Sequence, residues 1–579
     1  MELAAGSAQV RSSRFRVSET VARRIAVLGL ISLLTALAVY PLGMLFFGSI
    51  HSAPPGMVGK FDLEGYRQVL TAENLQILLN TVWISLIKTA LSLGLAVLLA
   101  WIVARTDTPG SRVLEILITL PFFLPPILTA MAWGMLGNPS VGVINTAWRW
   151  LSGSDEPLVN VYSFGGVIWH MMQYSTAFLF LLLVDVFRAM DPALEEASRM
   201  SGAGRLQTFY RVTLALMLPA LTSAFILSFI RGVESFESPL FFGTPAGVKV
   251  ITTEIYEAIT SRATPDYQYA TALSFVVMAL MSLLIVAQWR LLGNRGFHTV
   301  TGKGFKPVLV KLGPWRWATF GLCILFFIVT VLLPVGQLVA GSLFRFFGFY
   351  SWDAITLQHY AAVFQDDMLW RAIRNTMLLG LFGATATMIL GGLVAYVTVY
   401  TKWMGRRVIE ALAWLPWMMP GIVLGIGFLW AFAYLPGPLQ VYGTIWALLI
   451  AYITLGTPVS VRIMSSSFVQ LSRDLDECSR VHGASFLQTF WRILIALVWP
   501  SFAIGWVLVF FGIMRELSAS ILLYSAGTEV LSIALLKLWN AGQQEQVSVL
   551  GLLMVLLVVF FRMLQLFVSH RQGLKYSQS

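Results

Sequence analysis

Long apolar runs separated by short polar stretches dominate the chain. About 20 apolar residues are needed to cross the hydrocarbon core as a helix. Runs of that kind begin near Ile25, Leu75, Val113, Ser163, Val212 and Tyr267, and again near Ala318, Asn375, Val408, Thr444, Ile493 and Val547. The pattern predicts an all-α polytopic membrane protein with twelve transmembrane helices in two groups of six. The first run follows Arg23 and Arg24, as a signal peptide would. From Ile25 to Phe47 it exceeds the roughly 7–15 apolar residues of a cleaved signal, so it is expected to remain as an anchor. The expected organisation is a first six-span half over residues 1–292, a basic cytosolic linker over 293–316, and a second six-span half over 317–579.

Composition sharpens this. Hydrophobic residues make up 57% of the 579 and charged residues only 12%, where a soluble domain carries roughly 25% charged. That excludes a soluble multidomain enzyme, a disordered chain and a nucleic-acid-binding protein, despite the net charge of +11. A β-barrel is disfavoured too, because its strands alternate apolar and polar positions. The charge instead reports topology. The segments 1–24, 105–112, 188–211, 290–316, 401–407, 472–492 and 570–579 hold 25 Lys/Arg and 9 Asp/Glu, and the alternate segments hold 7 and 14. The positive-inside bias then places both termini and the linker in the cytosol. Gly302-Lys303-Gly304 in the linker fails as a phosphate loop, since Phe297 replaces the first glycine and Gly304 the Ser/Thr. No nucleotide-binding domain is read anywhere in the chain. Cys323 and Cys478 are too isolated for a disulfide framework, and the six histidines form no metal-ligand spacing.

Comparing the chain with itself is more informative. Residues 195–219 read EEASRMSGAGRLQTFYRVTLALMLP, and residues 476–500 read DECSRVHGASFLQTFWRILIALVWP. At an offset of 281, Glu196 matches Glu477, Gly202 matches Gly483, Phe209 matches Phe490, and Pro219 matches Pro500. Upstream the offset is 295: Asn80-Thr81 matches Asn375-Thr376, Glu115 matches Glu410, Leu120-Pro121 matches Leu415-Pro416, and Pro125 matches Pro420. Six crossings per half return each half to the same side, so the repeats are parallel, with a pathway expected between them. The repeated cytosolic segment reads as a short helix with Glu195 or Glu196 near its positive end, a turn at glycine, and a second helix anchored by phenylalanine. Each half would therefore carry one rigid cytosolic knob.

These two segments resemble the EAA loops, roughly EAAxxxG followed by an aromatic and an LP, of binding-protein-dependent ABC importer permeases of the type I fold. Each half is similar to one six-span permease unit, and the fused pair is similar to permeases for ferric iron, thiamine or aminoethylphosphonate. The resemblance implies coupling helices that dock on an ATPase, with Glu195, Glu196, Gly202, Phe209, Glu477, Gly483 and Phe490 as coupling residues. It also implies two copies of a separate ABC ATPase that bind ATP and Mg, a periplasmic substrate-binding protein, and a bacterial inner-membrane location. The chain itself would be no enzyme and hold no cofactor. Departures from the motif are Ser198 and Ser479 at the second alanine, Cys478 at the first, Ser201 and His482 before the glycine, and Ala215 and Ala496 at the first proline. An ion-gradient-driven secondary transporter would share the twelve spans but not the paired knobs.

Ionisable residues inside spans mark pathways or partners. Arg231, Glu234 and Glu237 are spaced to share a helix face toward the outer mouth of the fifth span, and Arg515-Glu516 lies at the matching level of the second half. With Lys88, which lies roughly 12 Å beyond Asn80 and whose partner is not legible in the sequence, these are the expected lining of a translocation path or gate. Asp185 and Arg462 lie at cytosolic span ends, as snorkelling groups or clamps on the knob. Three cations and three acids do not select a cargo. Acid-rich outer segments such as Asp366-Asp367 favour ferric iron, with aminoethylphosphonate or thiamine next.

Overall fold

The computed structural model describes residues 24–292, 309–349, 351–400, 405–471 and 495–571, with Trp403 and a few isolated positions between 478 and 492. Among the described residues all regular structure is helical, apart from isolated β-bridges. The first half contains α1 (Arg24–Ser49), α2 (Ala72–Arg105), a bent pair α3 (Ser111–Phe123) and α4 (Pro126–Leu136), then α5 (Phe164–Arg188), α6 (Pro192–Met200), α7 (Phe209–Val233), α8 (Ile251–Thr260) and α9 (Tyr267–Leu292). The described residues of the second half repeat the order except for α6, whose counterpart falls outside them: α10 (Trp315–Leu343), α11 (Asp367–Val399), the bent pair α12 (Arg406–Met418) and α13 (Gly421–Ala433), α14 (Ile445–Val469), α15 (Ile495–Met514), α16 (Leu531–Asn540) and α17 (Gln544–Arg571). Ten described helices are long and apolar enough to cross a membrane, or twelve if each bent pair is one span.

The third span of each half is where the structure departs from the hydrophobic pattern. It is split, with a bend of 93° between α3 and α4 and of 110° between α12 and α13. Proline is the cause: Leu124 and Pro125 take ψ 134° and 127°, and Met419 and Pro420 take ψ 111° and 148°. A residue before proline is pushed out of the helical region, and proline donates no backbone bond to bridge the gap. The apolar count across the break still reaches membrane length, which is why periodicity alone reads one helix. Proline also widens the first span of each half. A π-helical turn at Thr35–Val39 precedes Pro41, and another at Ile328–Leu332 precedes Pro334. Each proline leaves a carbonyl one turn earlier without its donor.

The halves interlock through the bent arms. Along α13 every side chain from Ile422 to Phe432 is buried. It packs on α1 and α9 of the first half: Trp430 donates to Thr271 Oγ1 (3.0 Å), and Tyr40 donates to the Ala431 carbonyl (3.1 Å). Gly48 is required at this crossing, because a Cβ there would lie 2.4 Å from the Trp430 ring. Reciprocally, α4 packs on α10, and Ser548 of α17 reaches Met135 of α4. The main buried core therefore runs continuously through both halves.

Candidate coupling knob and gate

The first knob is built from the turn outward. Asp191 accepts the Ala193 N–H (2.9 Å) and Pro192 occupies the first turn, so α6 starts with its donors capped. Gly202 makes the turn after α6 at φ +88°, a left-handed conformation that glycine adopts without strain. Phe209, at the foot of α7, meets Trp101 of α2 edge-on with centroids 5.8 Å apart. Two adjacent acids behave differently. Glu195 is buried: one oxygen accepts from Arg105 Nη2 (2.7 Å) and the other from Thr213 (2.8 Å). Glu196 points to solvent, beside exposed Leu194, Ala197, Arg199 and Met200. The free face of α6 thus mixes apolar and charged groups, while Glu195 faces the bundle. The matching residues Glu477, Gly483 and Phe490 lie outside the described residues. Asp185 pairs with Arg188 (3.2 Å), which also pairs with Glu115, so this group ties α3 to α5 rather than to the knob. Arg462 is exposed.

The intramembrane charges gather into one inter-half group. Lys88, halfway along α2 and buried, donates to the carbonyl (2.8 Å) and hydroxyl (3.2 Å) of Ser228 on α7. One turn further out, Arg231 pairs with Glu234 (3.0 Å) and stacks on Trp417, 4.5 Å from the ring centroid. Arg515 donates to the Phe122 carbonyl (3.0 Å) and lies 5.4 Å over the Phe122 ring. Trp417 and Phe122 are repeat-equivalent at offset 295 and flank the two proline breaks. Each half's arginine therefore reaches the bend of the opposite half. Glu237 and Glu516 lie within electrostatic range of Arg515, and Glu516 accepts the Ala519 N–H (2.9 Å). Among the described residues no group of three or more His, Cys, Asp or Glu side chains is placed to hold a metal ion.

Sequence reasoning did not find Phe122, Trp417, Ser228 or Arg105. For the two rings the available signal was the repeated prolines on either side of each. The repeated Asn-Thr pair acquires a role as an outer clamp. Asn80 donates to the Lys249 carbonyl (3.2 Å), and Thr81 Oγ1 accepts the Ile251 N–H (3.0 Å) at the start of α8. Asn375 donates to the Glu529 carbonyl (2.9 Å), and Thr376 Oγ1 accepts the Leu531 N–H (2.8 Å) at the start of α16. Next to this second clamp, burial works against the Glu529 carboxylate. Backbone donors and Lys537 (3.1 Å) outweigh that effect and hold its pKa below the ordinary value.

The family described as "Binding-protein-dependent transport system inner membrane component" matches residues 92–295 and again 387–573, once in each half. The chain belongs to that family. It is an all-helical, multi-pass inner-membrane permease of an ABC importer, a transport subunit built of two fused permease units. Its family works with an ATPase and a periplasmic binding protein. The permease is 26% identical over 547 residues to "Ferric transport system permease protein FbpB" of Actinobacillus pleuropneumoniae, covering 93% of this chain and 77% of that one. A "Putative ferric transport system permease protein FbpB 1" of Haemophilus influenzae is 26% identical over 515 residues, covering 87% and 78%. "Molybdenum transport system permease protein ModB" of Escherichia coli is 25% identical over 227 residues, which are 38% of this chain and 95% of that one. A stretch of 38% of this permease therefore corresponds to nearly the whole of one such relative.

Proposed function

We propose that this permease imports ferric iron handed over by a periplasmic binding protein, with two copies of an ATPase subunit bound at its two knobs. ATP and Mg belong to those subunits; the chain makes and breaks no covalent bond. Both termini face the cytosol, so the knobs and the linker share the side on which ATP is available. ATP-driven closure of the ATPases pulls the knobs together and rocks the halves, and the path opens outward. The residues carrying coupling are Glu196 and Gly202 with Glu477 and Gly483, braced by Glu195, Phe209 and Phe490.

The observation that carries the gate is reciprocal: Arg231 is held at Trp417 and Arg515 at Phe122, each across the boundary between halves. Parting the halves at this face breaks both contacts. With Lys88, Glu234, Glu237 and Glu516, these arginines form the outer gate. The ferric cargo is supported by the fused ferric permeases that align along most of the chain. The test is uptake of radiolabelled ferric iron into proteoliposomes holding the complete complex. Uptake is expected to need ATP and the binding protein, and to stop with vanadate. Transport of aminoethylphosphonate or thiamine without iron would reassign the cargo and leave the gate standing.

A further inference from the structure

The linker between the halves ends in an ordered strap. The Val310 N–H donates to the Arg105 carbonyl (2.8 Å), and the Val310 carbonyl accepts the Asp107 N–H (3.2 Å). Leu312 N–H adds a bond to Asp107 Oδ1 (2.8 Å). A hydroxyl pair, Thr108 with Thr319 (2.7 Å), continues the contact into α10, the first span of the second half. The backbone held by this strap belongs to Arg105, the last residue of α2, whose side chain is 1% exposed. That side chain donates from Nη1 to the Met190 carbonyl (3.2 Å) and from Nη2 to Glu195 (2.7 Å). A path of main chain and hydrogen bonds thus runs from α10 back along the chain to Val310, across to Arg105, and from its side chain to Glu195 on α6. At offset 295 the residue matching Arg105 is Tyr400, which carries no cation.

We propose that the strap at Leu309–Leu312 and the buried Arg105–Glu195 pair position the first coupling helix, so that α6 moves with the second half as well as with its own. Arg105, Glu195 and Val310 are positioning residues. They act through α6, and this inference rests on the reading of α6 as the surface that docks on the ATPase. A strap works at the speed and amplitude of the spans it joins, whereas a tether only keeps two halves together. The distinction is testable because the strap lies beyond 293–308, the stretch in which a cut would sever the tether and leave the strap on α10.

The experiment uses the complete complex in lipid nanodiscs, with two readouts. One is ATP hydrolysis stimulated by the binding protein; the other is disulfide cross-linking from Met200→Cys, on the exposed face of α6, to a cysteine on the ATPase surface, in a Cys478→Ser background that removes the exposed native thiol. Val310→Pro removes the N–H that Arg105 accepts and should lower stimulation about fivefold, the weight of one hydrogen bond, and reduce the cross-link. Val310→Ala keeps the N–H and should behave as wild type. Glu195→Gln leaves a buried guanidinium uncompensated and should lower stimulation more than Val310→Pro does. The exchange Arg105→Glu with Glu195→Arg should recover part of that loss relative to either single change. Cleavage at a protease site engineered between 293 and 308 should leave stimulation unchanged. If Val310→Pro prevents assembly, Asp107→Ala, which removes only the Leu312 acceptor, should still lower stimulation about twofold, a fraction of a hydrogen bond's weight. Wild-type stimulation and cross-linking in Val310→Pro, or in Asp107→Ala where that is the variant assayed, would overturn the proposal. So would a cut chain as impaired as Val310→Pro, since the linker would then be a tether. Absence of the Met200→Cys cross-link from the background with an unaltered strap would instead overturn the docking reading itself.

Discussion

Replacing Arg515 with methionine should unlatch the outer gate, and the contacts give the size of the effect. Arg515 holds the first half by a charged hydrogen bond to the Phe122 carbonyl at 3.0 Å and by the Phe122 ring at 5.4 Å. A hydrogen bond from a charged donor contributes about 1.5–3 kcal/mol, and a cation over a ring, at the weak end of its range, about 0.5–1 kcal/mol. The ring contact is near the 6 Å limit of useful range, so the lower ends apply and the sum is about 2 kcal/mol. That shifts the closed-to-open equilibrium roughly 30-fold toward open. Phe122→Leu keeps the carbonyl and loses only the ring, which predicts a shift of about twofold. Trp417→Leu removes the better ring at the shorter distance of 4.5 Å, and its shift should be about fivefold. The assay is ATP hydrolysis by the assembled complex without binding protein, which rises as the closed gate loses its advantage. The expected order is Arg515→Met, then Trp417→Leu, then Phe122→Leu. A wild-type basal rate in assembled Arg515→Met complex, or equal effects of Arg515→Met and Phe122→Leu, would refute the latch.

Other consequences are more local. Gly202→Val forces a branched side chain to φ +88°, which costs about 1–2 kcal/mol for any residue with a Cβ. The knob should distort, and iron uptake should fall while thermal stability in detergent stays near wild type. Gly48→Ala places a methyl group 2.4 Å from the Trp430 ring. Overpacking of this kind costs about 1–3 kcal/mol and should lower the melting temperature and weaken the α1–α13 contact. Glu529 has its carboxyl pKa held below 4.5 in the folded state. Its contribution to stability is therefore complete above the ordinary glutamate value and is lost as pH falls through the depressed one. Acid titration of the melting temperature should show this loss in wild type and not in Glu529→Gln.

Much of the architecture was legible because it rests on local rules. Span number follows from membrane thickness, and the parallel halves follow from an even crossing count and the offsets 281 and 295. The broken third spans were not read, although Pro125 and Pro420 had been matched. Hydrophobic averaging passes over a proline, whereas backbone geometry does not. Glu195 and Glu196 could not be separated either. They lie about 100° apart on one helix turn, and only the approach of Arg105 from α2 decides which one turns inward. Lys88 was recognised as needing a partner, but Ser228 is 140 residues away and offers mainly a backbone carbonyl, which no side-chain pattern reveals. The same holds for Phe122 and Trp417. Their aromatic character fits any membrane helix, and their contact with the opposite half's arginines exists only after the halves interlock.

The central claim is that the two halves part at their outer face when ATP is bound at their inner one. Ala246 and Ala526 are exposed, repeat-equivalent positions on the outer loops ahead of α8 and α16. In a Cys478→Ser background, which removes the exposed native thiol, spin labels at these two positions report the separation of the halves directly. The account predicts that the distance lengthens when binding protein, ATP and vanadate are added to the complete complex, and returns when nucleotide is removed. An unchanged or shorter distance in a complex that still transports iron would contradict it.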